Sequence, residues 1–248
     1  MLKRAVIKIS GEELSGNGEV FDDSVIDNIA RQLKILSETE LSLVIGGGNF
    51  WRGREAKESK QSLDRTRSDQ IGMLGTVMNG LYLSERFKRS GVGSVVMTPF
   101  PVGEFTELFT REAAWGAMKR GCVVINAGGT GHPYFSTDTI AALRAAELGA
   151  DCVFYAKHVD GVYTADPKID PSARKYRRVS YQQVIRKQLK AADIAAMAIS
   201  QEAETDSFLF GLNEKDSIIN ACKSAAGQGG DFLSGTMISV SCEEEFYV

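Results

Sequence analysis

Three glycine-rich segments follow three apolar runs, and this repeated pairing constrains the fold more than any other feature of the 248-residue chain. The glycine segments are Ser10-Gly11, Gly46-Gly47-Gly48 and Gly128-Gly129-Thr130-Gly131, after apolar runs over residues 5–9, 41–45 and 122–126. A strand that ends in glycine lets a ligand approach the bare backbone, whose N–H groups can point at an anion. Three such loops predict a site that holds more than one phosphate group.

Strand-like runs and helical periodicities alternate along the whole chain. Strands are predicted over residues 5–9, 41–45, 94–98, 122–126, 152–155, 208–212 and 236–240. Helices are predicted around residues 25–36, 68–81, 110–120, 137–148, 181–189, 192–201 and 217–224. This alternation predicts an α/β fold, a three-layer αβα sandwich with a mostly parallel central sheet. Ligands then bind at the carboxyl ends of the strands. We expect one domain over residues 1–240 and an acidic, frayed tail over 241–248.

Composition excludes several classes of function. The net charge of −3 argues against a nucleic-acid partner, and no apolar run is long enough to span a membrane. We find no signal peptide, and the four cysteines form no CxxC pair, so we expect reduced cysteines in a cytoplasmic protein. Because the chain has two histidines, a histidine-based metal site or a Ser/His/Asp triad is disfavoured. A basic stretch over 174–190 has few interleaved aromatics, so we interpret it as solvated charge.

Common nucleotide-binding signatures are absent. The sequence lacks GxxxxGK[ST], lacks GxGxxG with a suitably spaced acid, and lacks the HRD and DFG motifs of protein kinases. These absences disfavour a P-loop ATPase, a Rossmann dinucleotide site and a protein kinase.

Charged residues beside the glycine loops indicate the chemistry. Lys8 lies in an otherwise apolar strand, where a charge is usually paired or functional, so we favour a role at a transferring phosphoryl group over simple exit to solvent. Arg52 offers a planar fork for phosphate oxygens. Residues 130–138 lead into the N-terminus of a helix. The free N–H groups and positive dipole end of such a terminus favour binding of an anion. Asp138 is either a first-turn capping residue, a group that orients Lys8, or a group that holds water on Mg²⁺. His132 is interpreted as a loop residue near the ligand.

Taken together, the motifs resemble the amino acid kinase superfamily, and within it the bacterial UMP kinases, from Lys3 to about Val240. The matching segments are 8–12 (KxSGE), 46–53 (GGGNxxRG), 64–74 (DR…DxxGML), 130–145 (GTGNPFFTTD…AALRA) and 159–167 (VDGVYxxDP). Several motifs in the correct order are far more specific than any one of them.

The resemblance implies the amino acid kinase fold and transfer of the γ-phosphoryl group of ATP to UMP, giving UDP and ADP in pyrimidine nucleotide biosynthesis. It implies Mg²⁺ bound with ATP and held mainly by the nucleotide phosphates, with no metal site of the protein's own. It further implies a homohexamer, with GTP activation and UTP inhibition.

The resemblance also implies roles for individual residues. The implied catalytic residues are Lys8, Arg52 and Asp138. The implied ATP-binding residues are Lys8, Ile9, Ser10, Gly11, Gly48, Arg52, Lys157, Tyr163 and Asp166. The implied UMP-binding residues are Gly47, Asp69, Thr130, Gly131, His132, Pro133, Tyr134, Phe135, Ser136 and Thr137, with Asp69 at the ribose hydroxyls.

Departures from the family pattern accompany these matches. The family's helical MDxTA motif appears as Ala191-Ala192-Asp193-Ile194-Ala195, in which Asp193 is kept but its neighbours differ. His132 stands where the family usually has Asn, and Lys157-His158 stand where it usually has Thr or Asn followed by Lys. Lys157 therefore lacks the usual hydroxyl or amide for the nucleotide. Two alternatives remain: a kinase of this fold with another acceptor, such as a carboxylate or an isoprenoid phosphate, and a non-catalytic nucleotide-binding relative.

Overall fold

The computed structural model describes residues 2–16, 18–51, 63–212, 215–227 and 235–247. The strands are β1 (Arg4–Ile9), β2 (Glu40–Ile45), β3 (Ser94–Thr98), β4 (Glu107–Leu108), β5 (Val123–Asn126), β6 (Cys152–Lys157), β7 (Tyr176–Ser180), β8 (Asp206–Gly211), β9 (Thr236–Ser239) and β10 (Glu245–Phe246). The helices are α1 (Asp23–Ile35), α2 (Arg65–Arg89), α3 (Arg111–Lys119), α4 (Thr137–Leu148), α5 (Tyr181–Arg186), α6 (Ile194–Glu202) and α7 (Ser217–Ala225), and Gly11–Leu14 forms a 3-10 turn.

The strands of the described residues form one sheet in the order β10-β7-β9-β8-β6-β1-β2-β5-β3-β4. Neighbouring strands in the part of the sheet ordered β8-β6-β1-β2-β5-β3-β4 are all parallel, and so are β7 and β9. The β8–β9 and β7–β10 pairs are antiparallel. The prediction of a mostly parallel sheet is therefore confirmed. Strand β1 lies between β2 and β6, and Lys8 pairs with Val44 on one side and Tyr155 on the other.

Helices cover both faces of the sheet and enclose two hydrophobic cores. One core contains residues of α1, α2 and α7, packed on alternate β1 residues such as Ile7 and Ile9. The other contains residues of α3, α4, α5 and α6, packed on Val6. Because side chains alternate along a strand, Lys8 lies on the Val6 face, toward α4. The predicted three-layer αβα sandwich is confirmed, and its β1 strand directs Lys8 toward the α4 side.

Helix capping fixes where the two helices nearest the glycine loops begin. Helix α2 begins at Arg65, three residues before the predicted Ser68, because Asp64 caps it by accepting from the Arg67 N–H. Helix α4 is capped by Ser136, which accepts from the Thr139 N–H at 3.1 Å. Each of these caps satisfies an N–H that has no partner inside its own helix.

The tail and the basic stretch differ from the predictions. The expectation of a frayed tail is wrong at Glu245–Phe246, which form β10 against β7. Strand β7 was not predicted, and its Arg177 is paired at 3.0 Å with Glu245 rather than simply solvated. The two-residue strand β4 was also missed. In the parts of the chain that are described, no helix combines the length and apolarity that a membrane crossing requires.

Candidate active site

The glycine loops after β1 and β2 meet at the carboxyl edge of the sheet. A Cβ on Gly11 would lie 2.6 Å from the Gly48 backbone N and 2.8 Å from the Gly46 carbonyl oxygen. A Cβ on Gly47 would lie 2.6 Å from the Gly72 carbonyl oxygen of α2. Contacts this close exclude a side chain. The glycines therefore bring the loops against each other and against α2, in addition to baring backbone for a ligand.

Three charged side chains meet beside these loops. The Asp138 carboxylate lies 3.0 Å from the Lys8 Nζ and 2.8 Å from the Lys157 Nζ. The side chains are largely buried, with 9% of Lys8, 13% of Asp138 and 23% of Lys157 exposed. Lys8 leaves the end of β1, Lys157 ends β6, and Asp138 lies in the first turn of α4. The Asp138 carboxylate thus lies where it can orient Lys8.

In this centre, burial and the attraction between opposite charges shift the pKa values in opposite directions. Burial raises the pKa of Asp138, but the charges and hydrogen bonds of Lys8 and Lys157 outweigh it, so the pKa is lowered overall. Burial lowers the pKa of Lys157, and the nearby Lys8 charge adds to this effect, whereas Asp138 partly restores it. Asp138 is therefore held ionised and helps to keep Lys157 protonated.

A cavity of about 620 Å³ opens beside this centre, between the β2 loop, α2 and the loop before α4. Its wall includes most of the residues that the sequence assigns to UMP: Gly47, Asp69, His132, Tyr134, Phe135, Ser136 and Thr137, with the ATP-assigned Gly48 beside them. Thr130, Gly131 and Pro133 belong to the same loop but are not among the residues that form the wall. The Thr130 hydroxyl is instead used within the loop, where it accepts from the His132 N–H at 3.2 Å.

The loop before α4 is fastened to α2 at the mouth of the cavity. The Asp69 carboxylate accepts a hydrogen bond from the Tyr134 N–H at 2.8 Å. Tyr134 has a φ of 74°, an unusual conformation for a bulky residue, and this hydrogen bond helps to hold it. Asp69 thus shapes the cavity wall as well as lining it.

The residues assigned to ATP are less closely grouped. Ile9 is buried at the end of β1, and its carbonyl accepts from the Gly46 N–H at 2.9 Å, next to Ser10 and Gly11. The Tyr163 hydroxyl donates to Asp160 at 2.7 Å. Burial and this carboxylate raise the pKa of Tyr163 to about 12. The described contacts of Asp166 are with its own turn, through the Lys168 N–H, and with Lys190. Lys157, by contrast, is itself part of the charged centre through its contact with Asp138.

His158, the second residue of the Lys157-His158 departure, has its own partner. Its Nδ1 lies 3.1 Å from the Glu13 carboxylate, which is almost fully buried on the 3-10 turn after β1. Burial raises the pKa of Glu13, while His158 and Lys8 act to lower it, and the net shift is upward. The Lys157-His158 departure therefore places a lysine ammonium beside the Asp138 carboxylate and an imidazole beside the Glu13 carboxylate.

Some functional candidates were missed, and one lies outside the described residues. The predicted Arg52 lies outside the described residues. Asp193 and Arg65 line the cavity but were not assigned to it. Asp193 caps α6 and accepts from the Thr139 hydroxyl at 3.3 Å. Its position before an apolar helix was a capping signal, but no local sequence pattern indicates that α6 packs against α4.

Comparisons with known proteins agree with this architecture. Residues 3–211 match the profile of the amino acid kinase family. The uridylate kinase of Bradyrhizobium sp. (strain ORS 278) is 42% identical over 219 residues, which are 87% of this chain and 91% of that protein. The uridylate kinase of Rhodococcus jostii (strain RHA1) is 41% identical over 220 residues, which are 88% of this chain and 90% of that protein.

A solved structure extends the agreement over the whole chain. The UMP kinase of Bacillus anthracis superposes with a TM-score of 0.90 at 33% identity, covering 100% of this chain and 99% of that one. Sequence profile, full-length relatives and superposed fold all lead to the same assignment. The chain belongs to the amino acid kinase family.

Proposed function

We propose that this protein is a UMP kinase, a nucleoside monophosphate kinase that transfers the γ-phosphoryl group of ATP to UMP and releases UDP and ADP. The observation that carries the proposal is the Lys8–Asp138–Lys157 centre, which lies beside a cavity walled by the residues expected for UMP. The names of the relatives supply the acceptor, and the site supplies the charges that phosphoryl transfer requires.

The chemistry follows from the charges of the reactants. The UMP phosphate has a second pKa of about 6, so an unprotonated oxygen is available near neutral pH. That oxygen attacks the γ-phosphorus, the bond from the γ-phosphorus to the β–γ bridging oxygen breaks, and ADP leaves with the electron pair. Because no proton has to be removed, the reaction needs no strong general base. The protein's task is to hold two anionic groups in line and to neutralise them, which suits Lys8 and Lys157.

Magnesium fits this site as a companion of the nucleotide. The described residues contain no group of three His, Cys, Asp or Glu side chains that could hold a metal ion by themselves. Asp138, the carboxylate beside the glycine loops, is already paired with two lysines. We therefore propose that Mg²⁺ is held mainly by the ATP phosphates and would supply further positive charge there when bound.

Assembly, regulation and location complete the proposal. We infer a homohexamer, activation by GTP and inhibition by UTP from the family resemblance. Leu74 and Met78, one turn apart on α2, are 53% and 47% exposed, which supports burial of this helix face between copies. The cysteines, all described, are free thiols, which supports a reducing compartment such as the cytoplasm. UDP as product places the enzyme in pyrimidine nucleotide biosynthesis.

The decisive assay measures ADP formation from Mg-ATP with UMP, CMP, dUMP, carbamate and acetylglutamate as separate acceptors, and identifies the product. We expect rapid turnover with UMP and formation of UDP. Turnover confined to a carboxylate acceptor would refute the proposal in favour of another kinase of this fold. ATP binding without turnover on any acceptor would identify a non-catalytic relative.

Two further measurements test the finer statements. Adding GTP or UTP to the UMP assay tests activation and inhibition, and unchanged rates would refute both. Light scattering after size-exclusion chromatography gives the mass in solution, which we expect to be about six times that of the 27.0 kDa chain.

A further inference from the structure

Three α2 residues form a line along the wall of the acceptor cavity. Arg65, Asp69 and Gly72 are spaced i, i+4 and i+7, so they share one face of the helix, and all three line the cavity. Gly72 is the contact point of the phosphate-type loop, since a Cβ on Gly47 would lie 2.6 Å from its carbonyl oxygen. This face of α2 therefore begins at the cavity mouth and ends at the glycine loop.

The rise per residue of α2 gives the distances along the cavity that a bound nucleotide would span. At about 1.5 Å per residue, Asp69 lies roughly 4.5 Å from Gly72 along the helix axis, and Arg65 roughly 10.5 Å from it. A nucleoside monophosphate whose phosphate lies at the Gly47 loop would place its ribose near Asp69. Its base would then extend toward Arg65. The order phosphate, ribose, base matches the order Gly72, Asp69, Arg65.

Arg65 is held at this position by contacts that leave its hydrogen-bonding edge available. Its guanidinium lies over the Tyr134 ring, 4.3 Å from the ring centroid, and its Nε is 3.7 Å from the Asp69 carboxylate. Stacking uses the flat face of the group rather than its N–H donors. Within the described ranges, no residue accepts a hydrogen bond from its terminal amino groups. The side chain is 48% exposed, as expected at a cavity mouth.

We infer that Arg65 recognises the acceptor base and selects uracil over cytosine; this inference rests on the proposed function. A guanidinium has only donors. Uracil presents a carbonyl oxygen at C4, which accepts from Arg65, whereas cytosine presents an amino group there, which is itself a donor. A cytosine base would therefore place two donors against each other and leave both without an acceptor. Stacking on the Tyr134 ring orients the guanidinium plane.

The test compares kcat/KM for UMP and CMP in the full-length enzyme and its variants. Arg65→Gln offers both a donor and an acceptor, so we expect the UMP-to-CMP ratio to fall by about tenfold, the effect of one hydrogen bond to a charged group. Arg65→Lys keeps a donor-only group and should retain more of the preference. Arg67→Gln is the matched control, because Arg67 is an exposed α2 arginine that hydrogen-bonds Gln70 and is not part of the cavity wall.

The possible outcomes separate this inference from the proposed function. An unchanged UMP-to-CMP ratio in Arg65→Gln, or an equal loss on both substrates, would overturn base recognition by Arg65. An equal fall of the ratio in Arg67→Gln would also overturn it, because the effect would then be one of general charge. Absence of UMP turnover in the wild type would refute the proposed function itself, and this inference with it, before any variant is compared.

Discussion

Replacing Asp138 by asparagine tests the charged centre most directly. The substitution keeps the size of the side chain but removes the charge that lies 3.0 Å from Lys8 and 2.8 Å from Lys157. Burial already lowers the pKa of Lys157, with the Lys8 charge contributing and Asp138 opposing. Without that carboxylate, we expect Lys157 to lose its proton more readily and the two amines to separate.

The magnitude can be worked from the burial of the pair. Removing one partner of a buried ion pair costs about 3–5 kcal/mol, and neutralisation of Lys157 relieves part of this cost. We therefore expect Asp138→Asn to lower the free energy of unfolding by about 3 kcal/mol, or the Tm by roughly 6–12 °C. Loss of a positioned charge at the transferring group should lower kcat by about 10²- to 10³-fold.

The dependence of stability on pH gives an independent check. The pKa of Asp138 is lower in the folded protein than its unfolded value of about 3.9. Its stabilising contribution is therefore present above about pH 3.9 and is lost as the pH falls through the lower folded value. The difference in unfolding free energy between wild type and Asp138→Asn should accordingly shrink in that acidic range.

The assays are denaturant unfolding and ADP formation at saturating Mg-ATP and UMP. Asp151→Asn is the matched control, because the Asp151 carboxylate accepts the N–H groups of Lys3 and Arg4 at the opposite edge of the sheet. It should cost about 1 kcal/mol of stability while leaving kcat unchanged. A wild-type kcat in Asp138→Asn would refute the role assigned to the centre, and wild-type stability would refute the energetic argument.

Three other substitutions have distinct expected results. Lys8→Ala should lower kcat at least 100-fold with an unchanged circular dichroism spectrum, since Lys157 still pairs with Asp138; wild-type turnover would remove Lys8 from the mechanism. Gly47→Ala forces a Cβ to 2.6 Å from the Gly72 carbonyl, so it should cost about 1–3 kcal/mol and raise the KM for UMP more than that for ATP, as steady-state kinetics can show. Among the described residues, the new Cβ of Gly116→Ala in α3 meets the far end of the Arg120 side chain, at 3.5 Å. Urea unfolding should therefore show a gain of about 1 kcal/mol, and a loss would contradict this packing.

The central sheet was predictable because its signals are local. Buried parallel strands such as β1 and β2 appear as predominantly apolar runs, and a glycine follows directly after β2 and, with Ser10 between, after β1. Such signals require no knowledge of distant residues. They place the loops at one edge of the sheet, whereas the residues expected in the wall of the neighbouring cavity came from the family resemblance.

The far edge of the sheet was not predictable by the same means. Strand β7 has the sequence Tyr-Arg-Arg-Val-Ser, and its two central arginines resemble a solvated loop. Its strand conformation depends on β9 and on β10. The ring of Tyr176 also packs on that of Phe246, with centroids 4.5 Å apart. The two residues are far apart in sequence, and no short-range pattern reports such a contact.

The position of Lys157 shows what strand register adds to a motif. In sequence it appears as the loss of a hydroxyl or amide. In the structure, Lys8 pairs with Tyr155, and Lys157 lies two residues further along β6, on the same face as Tyr155. It therefore lies on the same face of the sheet as Lys8 and contacts Oδ2 of Asp138, whereas Lys8 contacts Oδ1. Lys8 and Asp138 alone would sum to zero charge, and Lys157 leaves one positive charge in excess. The family pattern has its lysine one residue later, where His158 contacts Glu13, so the departure moves the lysine of this pair to the position that contacts Asp138.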